Sequence, residues 1–297
     1  MLIVWKTIYF AFCHVLKKNL QPSTVKNYLY EIEKYQLLNK RAATYDYAKV
    51  MQYVESLRSN YPPQTTHRIV ASIKKYYDYL IEIGKRTDNP ARAIKLKDSK
   101  EIPIQLQDLF TEKELQSLLN PRKERYPFLA KRNQIIMSLL IYQGIKTGEL
   151  IKIKIQDLDL EKAQIKIHGT ALTNDRTLLL KAQQILLLHE YINNHRKELI
   201  TFRTKEDFLL LSKLGTPTTS DDISYLLSTY NRKDFGGKTL TTVTIRQSVI
   251  ANLLAKNNDL RIVQEFAGHK HLDTTEKYKE TGLNALKTAI DQLHPIK

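Results

Sequence analysis

A polar segment at residues 98–108, DSKEIPIQLQD, constrains the fold most, because it separates two stretches with helical periodicity. It contains a proline and has no amphipathic repeat, which is typical of an interdomain linker. With 297 residues, the chain is long enough for two domains with ordinary hydrophobic cores. The sequence therefore predicts a first domain over 1–97, a linker over 98–108 and a second domain over 109–297.

The first domain is predicted to be helical. Residues 23–38 place apolar side chains at helical spacing behind a Ser/Thr cap, and residues 64–84 repeat that spacing and end on a glycine. The apolar opening at 1–15 is too short to cross a bilayer and lacks the basic start of a signal peptide. We expect a buried helix there and a cytoplasmic location.

The second domain is predicted to be mostly helical with a small antiparallel sheet. Residues 131–142 have helical spacing, whereas AQIKIHG at 163–169 alternates like a strand. RTLLL at 176–180 can pair with that strand across a short polar loop. Thr111 and Glu114 have the spacing of a capping box at a helix start. The predicted fold class is α+β, mostly α.

The chain carries a large positive charge. Lysine and arginine number 47 against 31 acidic residues, and residues 1–100 hold 18 basic and only 8 acidic residues. Such an excess indicates a polyanionic partner, with double-stranded DNA first, while a solvated basic surface or an anionic membrane is the alternative. The candidate contacts to the DNA backbone, which a solvated face explains about as well, are Lys26, Arg68, Lys74 and Lys75.

Residues 268–278, GHKHLDTTEKY, hold a histidine and a tyrosine on either side of a predicted helix start. Gly268 is predicted to end one helix, and a capping box of Asp273 and Glu276 is predicted to begin the next. His269 would then lie in the turn and Tyr278 in the second helix. Taken alone, this pattern favours a buried histidine and a core tyrosine.

The segment TTVTIRQSVIANLL at 241–254 changes that balance. Arg246 is predicted in the first turn of a helix, where its guanidinium and the free N–H groups could share one anion. An arginine, a histidine and a tyrosine around one phosphate would form a site for covalent catalysis. The phenol would attack phosphorus while the cations stabilise charge on the other oxygens.

These motifs resemble those of the tyrosine recombinases, also called phage integrases. GHKHLDTTEKY is similar to the nucleophile box of that family, TIRQ to the second arginine box, and YQGIKTGEL to the first, with Glu149 at the acidic position. The resemblance implies that Tyr278 is the nucleophile and that Arg246, His269 and Lys146 stabilise the transition state. It further implies a DNA-clamping first domain, a catalytic second domain, and no metal or nucleotide cofactor.

Three positions depart from the family pattern. Lys146 stands where the family usually has its first catalytic arginine, and Val243 where it has a histidine or lysine. The hairpin IHGTALTNDRTLLL lacks the lysine that the resemblance implies as proton donor, for which His168 or Arg176 could substitute. Lysine keeps the charge of arginine but loses its planar two-point grip on phosphate. His168 is equally compatible with an ordinary strand residue.

The resemblance implies a site-specific recombinase or integrase that breaks and rejoins DNA through a 3′-phosphotyrosyl intermediate. Because of the altered positions, the alternative is a weakened or inactive member that binds DNA as an accessory or regulatory protein. Apolar residues recur at helical spacing over 282–297. In the resembled family such a tail packs on a neighbouring protomer, which implies a homotetramer on DNA; a tail docked on its own core is the alternative.

Overall fold

The computed structural model of the chain describes residues 12–16, 20–97, 104–204, 207–231 and 235–279. Its contacts divide into two compact units, Met1–Ile102 and Pro103–Lys297. Residues 98–103 of the predicted linker and the tail at 282–297 lie outside the described residues. The predicted domain boundaries and the role of the tail therefore stay predictions.

The first unit is helical throughout its described residues apart from the connecting loops. Its main helices are α1 (Pro22–Leu38), α2 (Tyr47–Asn60) and α3 (Pro63–Glu82), and residues 12–16 form a further helical turn. Helix α1 begins at Pro22 and not behind a Ser/Thr cap. Proline suits the first helical position because its φ is already helical and its missing N–H would have no partner there.

Tyrosines supply much of the core of the first unit. Tyr35 and Tyr77 are fully buried, and their hydroxyl oxygens are 2.8 Å apart. Tyr77 donates onward to the carbonyl oxygen of Ala42 at 2.7 Å, so the hydroxyl of Tyr35 donates to Tyr77. Burial raises the pKa of Tyr77 to about 12. These rings are satisfied core residues and are not exposed to a ligand.

The second unit combines helices with one small sheet. Its helices are α4 (Glu112–Ser117), α5 (Ala130–Gln143), α6 (Thr147–Leu150), α7 (Ala182–Glu190), α8 (Arg196–Leu199), α9 (Ser220–Tyr230), α10 (Thr242–Ala255), α11 (Leu260–Ala267) and α12 (Asp273–Glu276). Its antiparallel strands, in spatial order, are β1 (Leu158–Asp159), β2 (Gln164–Ile167) and β3 (Arg176–Leu179). The predicted fold class is confirmed.

Helix α5 is the centre of this unit. Most of its residues are buried, including Ile135, Ile136, Leu139 and Leu140. A helix that is buried on most of its sides must be surrounded by other elements, and α5 packs against both α7 and α10. Helix α4 begins with the predicted capping box, in which Thr111 accepts from the N–H of Glu114.

Two helices of the second unit end close to each other on left-handed glycines. Helix α5 ends at Gly144 with φ 56°, and α11 ends at Gly268 with φ 68°, a region that glycine enters without a Cβ penalty. The β2–β3 loop packs against the second end, where Asn174 donates its N–H to the Gly268 carbonyl oxygen at 3.0 Å. No helix among the described residues has the length and apolar character needed to cross a membrane.

Candidate active site

Arg246 lies at the meeting point of these two helix ends. It is in the second turn of α10, whose N-cap is Thr241, so the predicted position in the first turn is wrong. Its Nη1 donates to the Gly144 carbonyl oxygen at 2.5 Å and its Nη2 to that of Ala267 at 2.6 Å. The guanidinium is thus stabilised by the negative ends of two other helices and not by helix N–H groups.

His269 is a hydrogen-bonded neighbour of Arg246. Nη2 of Arg246 lies 3.0 Å from Nε2 of His269, and Nδ1 of the same imidazole lies 2.9 Å from Oγ1 of Thr275. Because the guanidinium can only donate, Nε2 must accept, and Nδ1 carries the proton that is donated to Thr275. Burial and the charge of Arg246 lower the pKa of His269 to about 4.

Tyr278 packs beside this pair. Its ring stacks on that of His269, with ring centroids 6.4 Å apart and an angle of 12° between the planes. Its apolar neighbours include Ile250 and Val263. Burial raises the pKa of the Tyr278 phenol, and the charge of Arg246 acts in the opposite direction. The charge of Arg246 thus favours the ionised phenol, but burial has the larger effect.

The turn that carries Tyr278 differs from its prediction. Helix α12 spans only Asp273–Glu276, and Leu272 precedes it without a side-chain cap, so the predicted capping box of Asp273 and Glu276 is wrong. Tyr278 lies in the turn after the helix, where its N–H donates to the Thr275 carbonyl oxygen at 3.1 Å. The short helix still holds His269 and Tyr278 side by side.

Glu149 and Arg176 form a buried ion pair at the edge of the site. Nη1 of Arg176 donates to Oε1 of Glu149 at 3.0 Å and Nη2 to Oε2 at 2.9 Å. The side chain of Glu149 is 1% exposed and that of Arg176 is 3% exposed. Burial alone would raise the pKa of Glu149, but the hydrogen bonds and charge of Arg176 bring it below its usual value. Arg176 is thereby fixed on Glu149.

Lys146 precedes α6 and is half-buried. Its main-chain N–H donates to Oε2 of Glu149 at 3.1 Å, while its ammonium has no hydrogen-bond partner among the described residues. Burial and the positive charge of Arg246 lower the pKa of this lysine, although Glu149 opposes the change. A cation near two other cations, with no partner of its own, is suited to an anionic ligand.

The β2–β3 loop is held in place by its own contacts. The main chains of Thr170 and Thr173 exchange hydrogen bonds, and Gly169 donates its N–H to Oδ1 of Asp175 at 2.7 Å. Thr173 also pairs with His269 as an isolated β-bridge. His168, at the start of this loop, is directed to Asp157, with Nε2 and Oδ1 2.8 Å apart.

Two threonines of the site were missed by sequence reasoning. Thr275 fixes the imidazole of His269, and its position three residues before Tyr278 in the motif was the available signal. Thr147 donates to the hydroxyl of Thr242 at 2.7 Å and so joins α6 to α10 beside Val243. Val243 itself is 61% exposed, which leaves an uncharged surface at that position.

The candidate DNA contacts of the first unit fall into two groups. Lys26 and Lys75 are exposed on α1 and α3. Arg68 forms an ion pair with Glu31 at 2.7 Å, and Lys74 donates to the carbonyl oxygen of Ile94 at 2.7 Å. The first group is available to a ligand as it stands, whereas the second would have to exchange an internal partner.

Within the described ranges, no cluster of three or more His, Cys, Asp or Glu side chains could hold a metal ion. The one cysteine of the sequence, Cys13, is a free thiol.

Comparison with known proteins identifies the family. The family model described as "Phage integrase family" matches residues 108–282. Tyrosine recombinase XerD of Staphylococcus haemolyticus (strain JCSC1435) is 28% identical over 291 residues, which cover 94% of this chain and 95% of the relative. Tyrosine recombinase XerC of Myxococcus xanthus is 26% identical over 286 residues, with 94% of each chain covered.

A solved structure shares the fold. The XerH site-specific recombinase bound to difH substrate, in a pre-cleavage complex, superimposes with a TM-score of 0.70 at 20% identity, over 94% of this chain and 84% of that one. At that identity the likeness establishes the fold alone. The family model extends over more than half of the chain, so the chain belongs to the phage integrase family. The resemblance noted from its motifs is confirmed.

Proposed function

We propose that this chain is a site-specific recombinase or integrase that breaks and rejoins double-stranded DNA through a 3′-phosphotyrosyl intermediate. The observation that carries the proposal is the convergence of a phenol, an imidazole and a guanidinium from separate elements, namely Tyr278, His269 and Arg246. The positive charge of Lys146 also acts on this cluster, since it contributes to the lowered pKa of His269.

The phenol of Tyr278 is the nucleophile of this proposal. Its oxygen forms a bond to the phosphorus of a DNA phosphodiester, and the bond from phosphorus to the 5′ oxygen breaks. Rejoining reverses these steps with the 5′ hydroxyl of a second strand. The covalent link retains the energy of the phosphodiester, so neither a nucleotide nor a metal is consumed.

Arg246 and Lys146 stabilise the charge that develops on the non-bridging oxygens. Among the described residues, three of the five N–H donors of Arg246 meet protein acceptors, which leaves two for a phosphate. Donors that are already held in position cost little reorganisation during the reaction, and removing one such donor typically reduces the rate by about 10²–10³. The role of His269 is to hold Arg246 and to support the ring of Tyr278.

The first unit supplies backbone affinity in this proposal. It holds most of the excess positive charge of the chain, and its exposed Lys26 and Lys75 are placed on helices that a DNA backbone could approach. A homotetramer assembled on DNA through the tail at 282–297 is part of the same proposal and follows from the family pattern alone.

Covalent trapping tests the function. Duplexes with randomised flanks and nicks at successive positions are incubated with the chain, and SDS-resistant protein–DNA adducts are recovered and sequenced. We expect the native chain to form an adduct and Tyr278→Phe to form none while it binds the same DNA equally well, because only one oxygen is removed.

The accessory-protein alternative makes a different prediction in the same experiment. A family member that has lost its chemistry would bind a selected duplex tightly and leave no adduct at any nick position. Adducts that persist in Tyr278→Phe would show that another residue is the nucleophile. Absence of both adducts and DNA affinity would contradict the proposed function altogether.

A further inference from the structure

The ammonium of Lys146 is in an unusual position for a lysine. It is half-buried beside the buried pair Glu149–Arg176, yet the carboxylate of Glu149 is occupied at both oxygens by Arg176. The contact of Lys146 with Glu149 is made by its main-chain N–H and not by the side chain. All three protons of the ammonium are therefore without a protein acceptor among the described residues.

The proposed cleavage needs a proton at the 5′ oxygen. When the bond from phosphorus to that oxygen breaks, the oxygen takes the electron pair and would leave as an alkoxide, which is a poor leaving group. A positioned acid that protonates the leaving oxygen accelerates such steps by about 10²–10⁴. The donor must be both protonated at neutral pH and free to transfer its proton.

The imidazoles and guanidiniums around the site, in contrast to the ammonium of Lys146, already have protein partners. His269 has a pKa of about 4 and donates its one ring proton to Thr275. Arg246 and Arg176 are held as cations by carbonyl oxygens and by a carboxylate. His168, at the start of the β2–β3 loop, is directed to Asp157.

We propose that Lys146 is the general acid that protonates the 5′ oxygen during strand cleavage, in addition to supplying charge. This inference rests on the proposed recombinase function. Lys146 lies in the segment YQGIKTGEL, at the position where the family usually has an arginine. An arginine there would be a poor proton donor, because a guanidinium holds its protons far more tightly.

In the cleavage step, each bond that forms is matched by one that breaks. The Tyr278 oxygen forms the bond to phosphorus and its proton passes to water, while the 5′ oxygen leaves with the electron pair and takes one proton from Nζ of Lys146. The products are a phosphotyrosyl ester, a 5′ hydroxyl and a neutral amine. In rejoining, that amine takes the proton of the attacking 5′ hydroxyl and the ammonium is restored.

The surroundings of Lys146 favour proton transfer in both directions. Burial and the nearby Arg246 lower its pKa, which makes the ammonium a stronger acid than a surface lysine. An acid is most effective when its pKa lies near the working pH, because it must give up its proton and recover it.

The test compares two leaving groups. A duplex that the native chain binds is synthesised with a nick and with either oxygen or sulfur at the 5′ bridging position. A thiol is far more acidic than an alcohol, with a pKa of about 8.5 in cysteine, so sulfur leaves without protonation. The variants are Lys146→Arg, which keeps the positive charge, and Lys146→Met, which removes it. Lys152→Ala is the matched control, because Lys152 is an exposed lysine six residues later.

If Lys146 is the acid, Lys146→Arg cleaves the oxygen substrate about 10²–10⁴ times more slowly than the native chain, yet cleaves the sulfur substrate within about tenfold of it. Lys146→Met shows the same rescue with an additional loss on both substrates, because its charge is gone. Lys152→Ala matches the native chain on both. DNA binding and thermal unfolding are measured for every variant to exclude misfolding.

Several outcomes would overturn the inference. If Lys146→Arg retains activity on oxygen, or if sulfur rescues neither variant, Lys146 acts through charge alone while the recombinase function stands. If the native chain cleaves only the sulfur substrate, Tyr278 is a working nucleophile but no residue, Lys146 included, protonates the 5′ oxygen. If the native chain forms no adduct on either substrate, the proposed function itself fails, and the role of Lys146 fails with it.

Discussion

Arg246 donates a hydrogen bond to Nε2 of His269 at 3.0 Å, and this contact fixes the protonation state of the imidazole. Since Nε2 accepts, the ring is neutral with its proton on Nδ1, which Thr275 receives at 2.9 Å. A protonated ring would place two cations in contact and would lose the bond from Arg246. The imidazole therefore holds the guanidinium in place only while it is neutral.

The first prediction concerns pH. The pKa of His269 in the folded chain, about 4, is below the ordinary value of 6.5, so the unfolded chain binds more protons between those values. Stability should consequently fall as the pH is lowered from about 6.5 towards 4. Urea unfolding of the native chain and of His269→Asn at pH 7 and pH 5 measures this.

The variant should lose much of the difference between the two pH values, because it has no imidazole to protonate. His271→Asn is the control, since His271 is exposed in the same turn and should leave the pH dependence as it is. An NMR titration of His269 with a midpoint near 6.5 would contradict the described geometry.

The second prediction concerns the buried pair Glu149–Arg176. Glu149→Gln leaves a buried guanidinium without its counter-charge, and we expect it to lower the free energy of unfolding by about 3–5 kcal/mol. The double variant Glu149→Gln with Arg176→Met should recover part of that loss because no lone charge remains. Urea unfolding of the two single variants and the double variant measures the coupling.

Asp159→Asn serves as the control for this pair. Asp159 pairs with Lys162 on an exposed surface, where water screens the interaction, and its loss should leave stability unchanged within error. Additive effects of the two core substitutions would show that the pair is not coupled.

The third prediction concerns Gly268. Its φ of 68° disfavours any side chain, and a Cβ there would lie 2.7 Å from Nη1 of Arg176. Gly268→Ala should therefore destabilise the chain by more than about 1 kcal/mol and move Arg176 away from Glu149. Gly148→Ala is the control, because apart from its chain neighbours and its own helix no atom lies within 4 Å of a Cβ at that position. Equal melting temperatures for the two variants would contradict this account.

The fourth prediction concerns DNA binding by the first unit. Lys26→Glu combined with Lys75→Glu should weaken binding to all duplexes and flatten its dependence on salt, because exposed lysines that contact phosphates release counterions. Fluorescence anisotropy at several salt concentrations measures both effects.

Arg68→Gln separates stability from binding. Because Arg68 is paired with the buried Glu31, its loss should reduce the stability of the first unit more than its affinity for DNA. Affinity that is indifferent to the double lysine variant and to salt would remove the first unit from the DNA interface.

The sequence alone determined the class of fold and the family. Helical periodicity placed α1, α3 and α5, and alternation placed the hairpin of β2 and β3, because local patterns of burial repeat at the period of each element. The motif around Tyr278 could also be recognised from the sequence, because its residues lie within eleven positions of one another.

Only the tertiary structure decided what the site residues touch. Arg246 was expected at helix N–H groups, yet it binds carbonyl oxygens at the ends of α5 and α11, which lie 102 and 21 residues away. Arg176 was a possible proton donor by sequence, and only the structure shows its contact with Glu149 across 27 positions. Contacts over such separations depend on how helices and strands pack, and no local pattern encodes them.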